Sequence, residues 1–513
     1  MSISTTPHPR GTACNNCRRR RLKCDRQRPI CGVCRKSTLP LEDCEYGPVF
    51  QADLLEEKIS IAETRIQELQ NSASGSSMRL HSPYTQSPPR RNEGPATHSM
   101  PTSYPLRNFQ TGMTAERRKI LLDTFLSFSS ELGFFLDSVN FSSSFVQGQG
   151  SGSLIGAILL FTSTLSSTFN LVELDCLASV TDSLAADSRR LAPQNPDAII
   201  SVIQANVLLA NYFFLKGKMV EGRYHTNTAV SLILSSGLHR GSRSLLSSAR
   251  DIVHEGERIN AVFTVFALNA AWTAVDDTGS PAIDWNSPDW RVDLPWPLEI
   301  EQYRMVSSSQ SISRRSDTIV TFLAGGNGHG STISALYAKA CILLERASML
   351  YRESRANLSP EKYRRFQATH HAISSVLSRF NSEICALEVP RSTRDARRLF
   401  AIHLLTNVAF IRMLYAQGAH SQSQLMSTIN SIVRCIRDLR LRDFGIVDTI
   451  VAKSLETVGK VLLEAIRSNR SRDAVSLLKE ILDAMEALGG QGRGTMMETC
   501  YLALREEYNS VFK

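Results

Sequence analysis

The sequence lacks the features that mark several classes of protein. No apolar run approaches the ~18 residues that span a bilayer, and residues 1–11 are polar where a signal peptide has an apolar stretch. We therefore expect neither membrane insertion nor secretion. Alternation of apolar and polar residues, the pattern of a half-buried strand, is nearly absent as well. The absence of strand patterns favours an all-α chain. At 513 residues, the chain is long enough for roughly three domains.

Cysteine is scarce over most of the chain. Five of the eleven cysteines are scattered singly, and because free cysteine behaves as a small hydrophobe, we predict that they lie in the core: Cys176, Cys341, Cys385, Cys435 and Cys500. The other six lie in the first 44 residues. Without a secretory signal the compartment is expected to be reducing, so we interpret these six as metal thiolates rather than disulfides: Cys14, Cys17, Cys24, Cys31, Cys34 and Cys44.

Positive charge is concentrated in the same segment. Ten basic residues and one acid, Asp25, lie between Arg10 and Lys36, which gives this segment the +9 of the whole chain and leaves the remainder neutral. Such a field attracts a polyanion, most often nucleic acid. The alternative is a nuclear-import or solubility segment.

The spacing of the six cysteines is C-x2-C-x6-C-x6-C-x2-C-x9-C. Two tetrahedral zinc ions need eight ligand positions, and six thiolates supply them if two sulfurs bridge both metals. We therefore predict a zinc module over residues 10–47 that binds two zinc ions. This segment is too short for an apolar core, so metal binding would fold it. A single zinc site with spare cysteines and a disulfide knot stay open as alternatives.

Residues 52–70 carry a short heptad pattern, with apolar residues at 4-3-4-3 spacing: Leu55, Ile59, Ala62, Ile66 and Leu69. Ile at a and Leu at d favour a parallel two-stranded coiled coil, so we predict a homodimer, with a lone amphipathic helix as the alternative. Residues 71–105 hold eight Ser and six Pro. This composition predicts a disordered linker.

Residues 106–513 show helical periodicity throughout. Two apolar stripes predict core-facing helices: Ile259, Val262, Phe263, Phe266, Ala267, Ala270 and Ala271, and then Tyr363, Phe366, His370, Ile373, Leu377, Phe380 and Ile384. Residues 199–215 are apolar on nearly every face, as in a helix at the centre of a bundle. We predict one large all-helical regulatory domain.

The cysteine spacing, the run Arg18-Arg19-Arg20-Arg21-Leu22-Lys23 and the proline two residues before Cys31 together resemble the fungal binuclear zinc cluster transcription regulators. The resemblance implies that Cys14 and Cys31 bridge the two metals, that Cys17 and Cys24 complete one zinc, and that Cys34 and Cys44 complete the other. It further implies a nuclear protein that binds double-stranded DNA with CGG half-sites and acts with the transcription machinery. No long acidic tract indicates whether transcription rises or falls.

A short helix after Cys14 could present basic side chains to the major groove, where Arg pairs bidentately with guanine. The resemblance implies that Arg20 and Arg21 read the CGG triplet. The remaining basic residues would contact phosphates: Arg18, Lys23 and Lys36. The alternative for each is a solvated surface charge.

The helical region also resembles this family, in its middle homology region. The motifs that carry the resemblance are Leu132-Gly133-Phe134-Phe135-Leu136, Glu221-Gly222-Arg223-Tyr224-His225, Gly237-Leu238-His239-Arg240, Glu257-Arg258-Ile259 and Asp293-Leu294-Pro295-Trp296-Pro297. The resemblance implies a regulatory domain, with a small-molecule effector of unknown identity.

Two rival functions remain. A zinc-stabilised interaction scaffold would share the cysteines but not read DNA. A helical enzyme with an accessory zinc module is disfavoured, although residues 319–330 imitate a strand followed by a glycine-rich phosphate-binding turn. No second strand-like run flanks this segment, so we expect a surface loop between helices and no enzyme. His254, His370, His371 and His403 are interpreted as core or surface residues.

Overall fold

The computed structural model describes the following residues: 13–25, 27, 30–36, 44, 113–165, 172–192, 195–241, 249–275, 283–285, 287, 290–305, 318–326, 330–385, 392–418, 422–469, 471–489 and 494–511. The chain divides into two compact units, Met1–Pro101 and Thr102–Lys513. We call them the N-terminal unit and the helical unit. The predicted coiled coil at 52–70 and the predicted linker at 71–105 lie outside the described residues.

The buried cluster of the N-terminal unit consists of cysteine side chains. Two short helices, α1 (Asn15–Arg19) and α2 (Gly32–Arg35), each begin directly after a cysteine. The side chains buried at their junction are Cys14, Cys17, Cys31, Cys34 and Cys44, with Cys24, Ile30 and Val33 partly buried against them.

Every regular element of the described part of the helical unit is a helix, which confirms the all-α prediction. The elements are α3 (Ala115–Leu126), α4 (Ser138–Val146), α5 (Gly152–Leu165), α6 (Glu173–Ser188), α7 (Pro196–Leu215), α8 (Met219–Ser235), α9 (Ala249–Val275), α10 (Ile300–Tyr303), α11 (Thr318–Leu323), α12 (Ile333–Ser354), α13 (Pro360–Cys385), α14 (Thr393–Gln417), α15 (Gln422–Asp438), a 3-10 turn at Leu441–Asp443, α16 (Ile450–Asn469), α17 (Arg472–Gly489) and α18 (Met496–Val511).

Local sequence sets several of these helix boundaries. Thr114, Asp137, Thr332 and Ser392 cap the starts of α3, α4, α12 and α14, each accepting a hydrogen bond from a backbone N–H in the first turn. At the end of α14, Gly418 adopts a φ of 79°, a left-handed conformation that glycine reaches without strain.

The helices pack around one apolar core. The most extensive contacts join α12 to α14, α7 to α8, α5 to α6 and α9 to α12. Helix α7 is buried on all faces from Ile199 to Phe214, and the stripe on α9 is fully buried, so both predictions are confirmed. The C-terminal helices α16, α17 and α18 pack on one another. Burial of these apolar faces is the main source of stability of the helical unit.

Three described helices are long and apolar enough, by length and composition, to cross a bilayer: Pro196–Leu215, Ile252–Val275 and Thr393–Gln417. This corrects the expectation that no apolar stretch approaches that length, which counted uninterrupted runs and ignored helices with a few polar residues. Within the helical unit, 83%, 83% and 72% of the most apolar 18-residue stretches of these three helices are buried. Their apolar character is therefore accounted for by the core.

Three smaller expectations were wrong. Cys385, predicted to be a core residue, is exposed at the last position of α13, and Cys435 is only half-buried. Tyr363, predicted to belong to a buried stripe, is 50% exposed because it lies in the first turn of α13. Residues 318–323, predicted to lie in a surface loop, form helix α11, whose Ile319 and Phe322 enter the core.

Candidate metal centre and nucleic-acid surface

The structure brings the six cysteines of the N-terminal unit together in two sets of four. One set is Cys14, Cys17, Cys24 and Cys31, and the other is Cys14, Cys31, Cys34 and Cys44. Within each set all sulfurs lie within 4.8 Å of one another. The two sets share Cys14 and Cys31, whose Sγ atoms are 3.8 Å apart.

These distances suit zinc. A tetrahedral zinc ion with Zn–S bonds of about 2.3 Å holds its sulfurs about 3.8 Å apart. The Sγ of Cys17 lies 3.6 Å from that of Cys31, and the Sγ of Cys14 lies 3.7 Å from that of Cys34. The sulfurs are therefore spaced as the ligands of such an ion would be.

Each C-x2-C pair uses its first sulfur to cap the helix that carries its second sulfur. The backbone N–H of Cys17 donates to the Sγ of Cys14 over 3.4 Å, and the N–H of Cys34 donates to the Sγ of Cys31 over 3.3 Å. Amide donors at a helix start stabilise a thiolate. The sequence of each pair therefore fixes both the helix and the position of the shared sulfur.

The thiols of this cluster cannot all ionise without a cation. Burial raises the pKa of Cys14, Cys17 and Cys34, and neighbouring sulfurs raise the last two further. Burial also acts to raise the pKa of Cys31, but hydrogen bonds from the Cys34 amide and from neighbouring thiols lower it to about 6. A divalent metal offsets the repulsion among several thiolates, since coordination deprotonates the thiol.

Two polar side chains that were not singled out from the sequence support the cluster. The Nδ2 of Asn16 donates to the Sγ of Cys34 over 3.6 Å and so links α1 to α2. The carboxylate of Asp25, the single acid of the basic segment, accepts the N–H of Gly32 at 2.8 and 3.0 Å. A Cβ at Gly32 would lie 2.3 Å from this carboxylate, so a larger residue there would displace Asp25 from the amide. The signal in the sequence was a lone acid among ten basic residues.

A basic turn follows α1. The side chains of Arg20, Arg21 and Lys23 are exposed, Leu22 beside them is 43% exposed, and Lys36 is exposed after α2. Arg18 belongs to α1, but its side chain lies outside the described residues. The exposed side chains of this turn are available to a large ligand.

Arg21 has an unusual backbone conformation that the sequence did not predict. Its φ is 53°, and it is the one non-glycine residue with positive φ in the described chain. The next residue, Leu22, donates its N–H to the carbonyl of Cys17 over 2.9 Å, which is the long bond of a Schellman motif. The motif ends α1 and turns the chain toward Cys24.

Comparison with known families agrees with this geometry. Residues 12–51 match the family model of the fungal Zn(2)-Cys(6) binuclear cluster domain. Neither curated proteins nor solved structures gave a match to the chain.

The N-terminal segment is a fungal Zn(2)-Cys(6) binuclear cluster domain, a metal- and DNA-binding domain of transcription regulation. This domain binds two zinc ions, so the prediction of two zincs is confirmed. Proteins that carry it are typically nuclear, non-enzymatic, DNA-binding regulators of transcription.

Proposed function

We propose that this protein is a nuclear, homodimeric regulator of transcription that reads CGG half-sites in double-stranded DNA and is not itself an enzyme. The observation that carries the proposal is the exposed basic turn after α1. The cysteine cluster that positions this turn has the geometry of a zinc site. The rival scaffold function would leave this turn without a ligand.

In the proposed cluster, Cys14 and Cys31 bridge both zinc ions. Cys17 and Cys24 complete the first ion, and Cys34 and Cys44 complete the second. The two sets of neighbouring sulfurs support this assignment, since they share the same two residues.

In the proposed complex, α1 and the turn after it enter the major groove. Arg20 and Arg21 donate to guanine, and Arg18, Lys23 and Lys36 contact phosphates. The left-handed conformation of Arg21 supports a role in reading. An arginine held in a conformation that costs free energy, where glycine would be relaxed, indicates that its side chain has a use.

The test removes the Arg21 side chain without straining its backbone. Arg21→Gly keeps the left-handed turn, and we expect it to weaken binding to a CGG duplex by about 1–3 kcal/mol and to remove discrimination against a random duplex. Lys23→Ala should weaken both duplexes alike and lower the salt slope by about one. Titration by fluorescence anisotropy at several salt concentrations measures both effects. Equal loss on CGG and random duplexes in Arg21→Gly would mean that Arg21 contacts phosphates and does not read guanine, whereas equal affinity of the unaltered protein for the two duplexes would support the scaffold function.

Dimerisation is proposed through residues 52–70, with Leu55, Ile59, Ala62, Ile66 and Leu69 along the seam. Ile66→Asp would place a charge in the dimer core, so binding to paired half-sites should fall while binding to a single half-site persists. Ser60→Asp, outside the seam, is the matched control. Gel shifts on paired and single sites measure the difference, and unchanged cooperativity in Ile66→Asp would contradict the coiled coil.

For the helical unit we propose a regulatory role as a middle homology region that acts with the transcription machinery. Contacts among the motifs support this proposal. The guanidinium of Arg258 donates to the carbonyls of Leu238 and Arg240, and the N–H of Asp293 donates to the carbonyl of His239 over 3.0 Å. Three of the five motifs are thus joined by hydrogen bonds, as parts of one structural region would be.

A further inference from the structure

Four helices of the helical unit line a cleft of about 390 Å³: the end of α9, the last turn of α12, the second half of α14 and the middle of α16. Binding sites for small molecules in proteins have volumes of about 300–1,000 Å³. The cleft opens to solvent on the side of Lys460, whose side chain is 54% exposed. It is therefore large enough for a small molecule and accessible to it.

Arg412, on α14, lines this cleft without an ion pair. Its guanidinium lies 4.9 Å from the ring centre of Tyr351, and among the described residues it donates no hydrogen bond and meets no carboxylate. The Nε is enclosed, whereas the residue as a whole is half-buried, so the accessible donors are the terminal nitrogens. A guanidinium stacked on a ring in this way keeps those donors free for a ligand.

The other charged residues of the lining are two lysines and two glutamates. Lys453 and Lys460 lie 2.8 and 2.7 Å from the two oxygens of Glu456, so one carboxylate serves both lysines. Glu464 accepts the hydroxyl of Tyr415 over 2.9 Å. With Arg412 the lining carries three cations and two carboxylates, an excess of one positive charge. A ligand with a single negative charge would balance it.

The end of α9 does not oppose an anion, although the C-terminus of a helix carries partial negative charge. Arg223 donates to the carbonyl of Trp272 over 2.5 Å, and Arg352 donates to the carbonyl of Thr273 over 3.2 Å. Two cations therefore offset the negative end of the helix next to Val275, the residue of α9 that lines the cleft.

The walls are fixed before any ligand arrives. Glu456 is held by the two lysines and by the thiol of Cys500, which donates to it over 3.2 Å. The ring of Tyr351, on which Arg412 stacks, packs edge-on against the ring of Tyr415 with centroids 6.1 Å apart. Binding to such a site costs little ordering of side chains.

The rest of the lining is apolar or aromatic and includes Val275, Ile411, Val461, Tyr351 and Tyr415. The planar guanidinium matches the two oxygens of a carboxylate. We propose that this cleft binds a small organic acid with one carboxylate and an apolar body, the carboxylate accepting from Arg412 and the body lying against the apolar residues. The protein would then carry a site for an acidic effector in its helical unit, whether or not it reads CGG.

Benzoate is a suitable probe because it combines one carboxylate with an apolar ring. We expect it to bind the full-length, zinc-loaded protein saturably, measured by ligand-observed NMR and by a rise in unfolding temperature. Benzamide has nearly the same shape without the charge and should bind at least about tenfold more weakly. Phenyl phosphate, a dianion at neutral pH, should also bind more weakly than benzoate, since its second charge meets no further free cation.

Two charge variants make the test specific. Arg412→Gln removes the free cation, so the affinity for benzoate should fall at least about tenfold while benzamide binding stays unchanged. Glu464→Gln can still accept from Tyr415 but leaves an excess of two positive charges, so it should bind benzoate about threefold more tightly. A residue that only supports the fold would not move the affinity in opposite directions for the two variants.

Two further variants separate the cleft from the rest of the surface. Thr457→Phe, at a half-buried position of α16 that lines the cleft, should fill it and abolish binding of both benzoate and benzamide. Arg434→Gln, on the exposed face of α15, changes the net charge of the chain as Arg412→Gln does and should leave benzoate binding unchanged. Circular dichroism shows that each variant keeps its helix content.

Three results would overturn the proposal. An absence of saturable benzoate binding would mean that the cleft holds solvent only. Equal benzoate affinity in Arg412→Gln and the wild type would mean that any binding occurs elsewhere, for example at the basic turn after α1. Tighter binding of phenyl phosphate than of benzoate would mean that the ligand carries a phosphate rather than a carboxylate. None of these results depends on DNA, so each leaves the proposed reading of CGG to its own test.

Discussion

Each of the two units of this protein has its own core, and the two cores differ in chemical kind. In the N-terminal unit the buried side chains of the cluster are five cysteines, and Ile30 and Val33 are the partly buried aliphatic side chains that pack on them. In the helical unit the largest fully buried side chains are mostly aromatic, among them Trp272, Phe125 and Phe213. The first core depends on the chemistry of a metal, whereas the second depends on the apolar area removed from water. The two units should therefore fail under different conditions.

The sharpest way to break this comparison is to remove one shared sulfur. Cys31→Ser should lose both zinc ions and unfold residues 14–44, because structural zinc contributes about 10–16 kcal/mol to folding in small zinc modules. The helical unit should keep its helix content. Zinc analysis and circular dichroism on the full chain measure the two effects. Cys385→Ser is the control, since that cysteine is exposed on α13. Two zinc ions retained in Cys31→Ser would rule out the shared-sulfur arrangement.

A second prediction tests the core of the helical unit, which encloses an ion pair among its apolar side chains. Arg397 lies 3.0 Å from the carboxylate of Glu131, with side-chain exposures of 7% and 1%, and it donates to the carbonyls of Ser127 and Phe444. Arg397→Ala leaves Glu131 buried and unpaired, so we expect a loss of about 3–5 kcal/mol in the free energy of unfolding.

Arg437→Ala is the matched control for that loss. Its pair with Glu480 lies on the surface, with Arg437 60% exposed, so the urea midpoint should not change measurably. Helix content followed through a urea titration provides the measurement for both variants. If Arg397→Ala shifted the urea midpoint as little as Arg437→Ala, the core would tolerate an unpaired Glu131 carboxylate.

The smallest expected effect concerns pH. Burial lowers the pKa of His225 to about 4 from 6.5, so the helical unit loses stability as pH falls through this range. Burial raises the pKa of Glu345 to about 7 from 4.5, against the hydrogen bond from Trp285, so stability is lost as pH rises through that range. Each shift corresponds to about 3 kcal/mol, and between pH 4.5 and 6.5 the two slopes oppose each other.

Single variants should separate the two opposing contributions to the pH dependence of stability. Glu345→Gln can still accept from Trp285, and it should be more stable than the wild type at pH 8 and show the acid loss due to His225. His225→Gln should show the opposite slope, and His371→Gln, on an exposed position of α13, should match the wild type. Urea midpoints at four pH values measure this. Parallel curves for all variants would refute the assignment.

The sequence predicted the parts of this protein that are coded locally. Six cysteines and the charges between them form one continuous pattern, and the stripe of Ile259, Phe263 and Phe266 repeats at the helical period. Two failures lie at the ends of α13. Tyr363 continues the apolar stripe but lies in the first turn, and Cys385, predicted to be buried from its residue type alone, is the last residue of the helix and is exposed. The cleft had no local signal, because its lining comes from four helices spread over residues 275–464.

The sharing of Cys14 and Cys31 between the two sets of sulfurs has a consequence for how the cluster assembles. Neither half of the segment contains a complete set of four: Cys14, Cys17 and Cys24 lack a fourth member until Cys31 joins them from the other half. The first ion to bind must therefore draw both halves together, and in doing so it places both shared sulfurs for the second. We therefore expect loading to be cooperative, so that a shortage of zinc would divide the population into full and empty molecules rather than leaving each one half-filled. The availability of zinc would then act on this domain as a threshold.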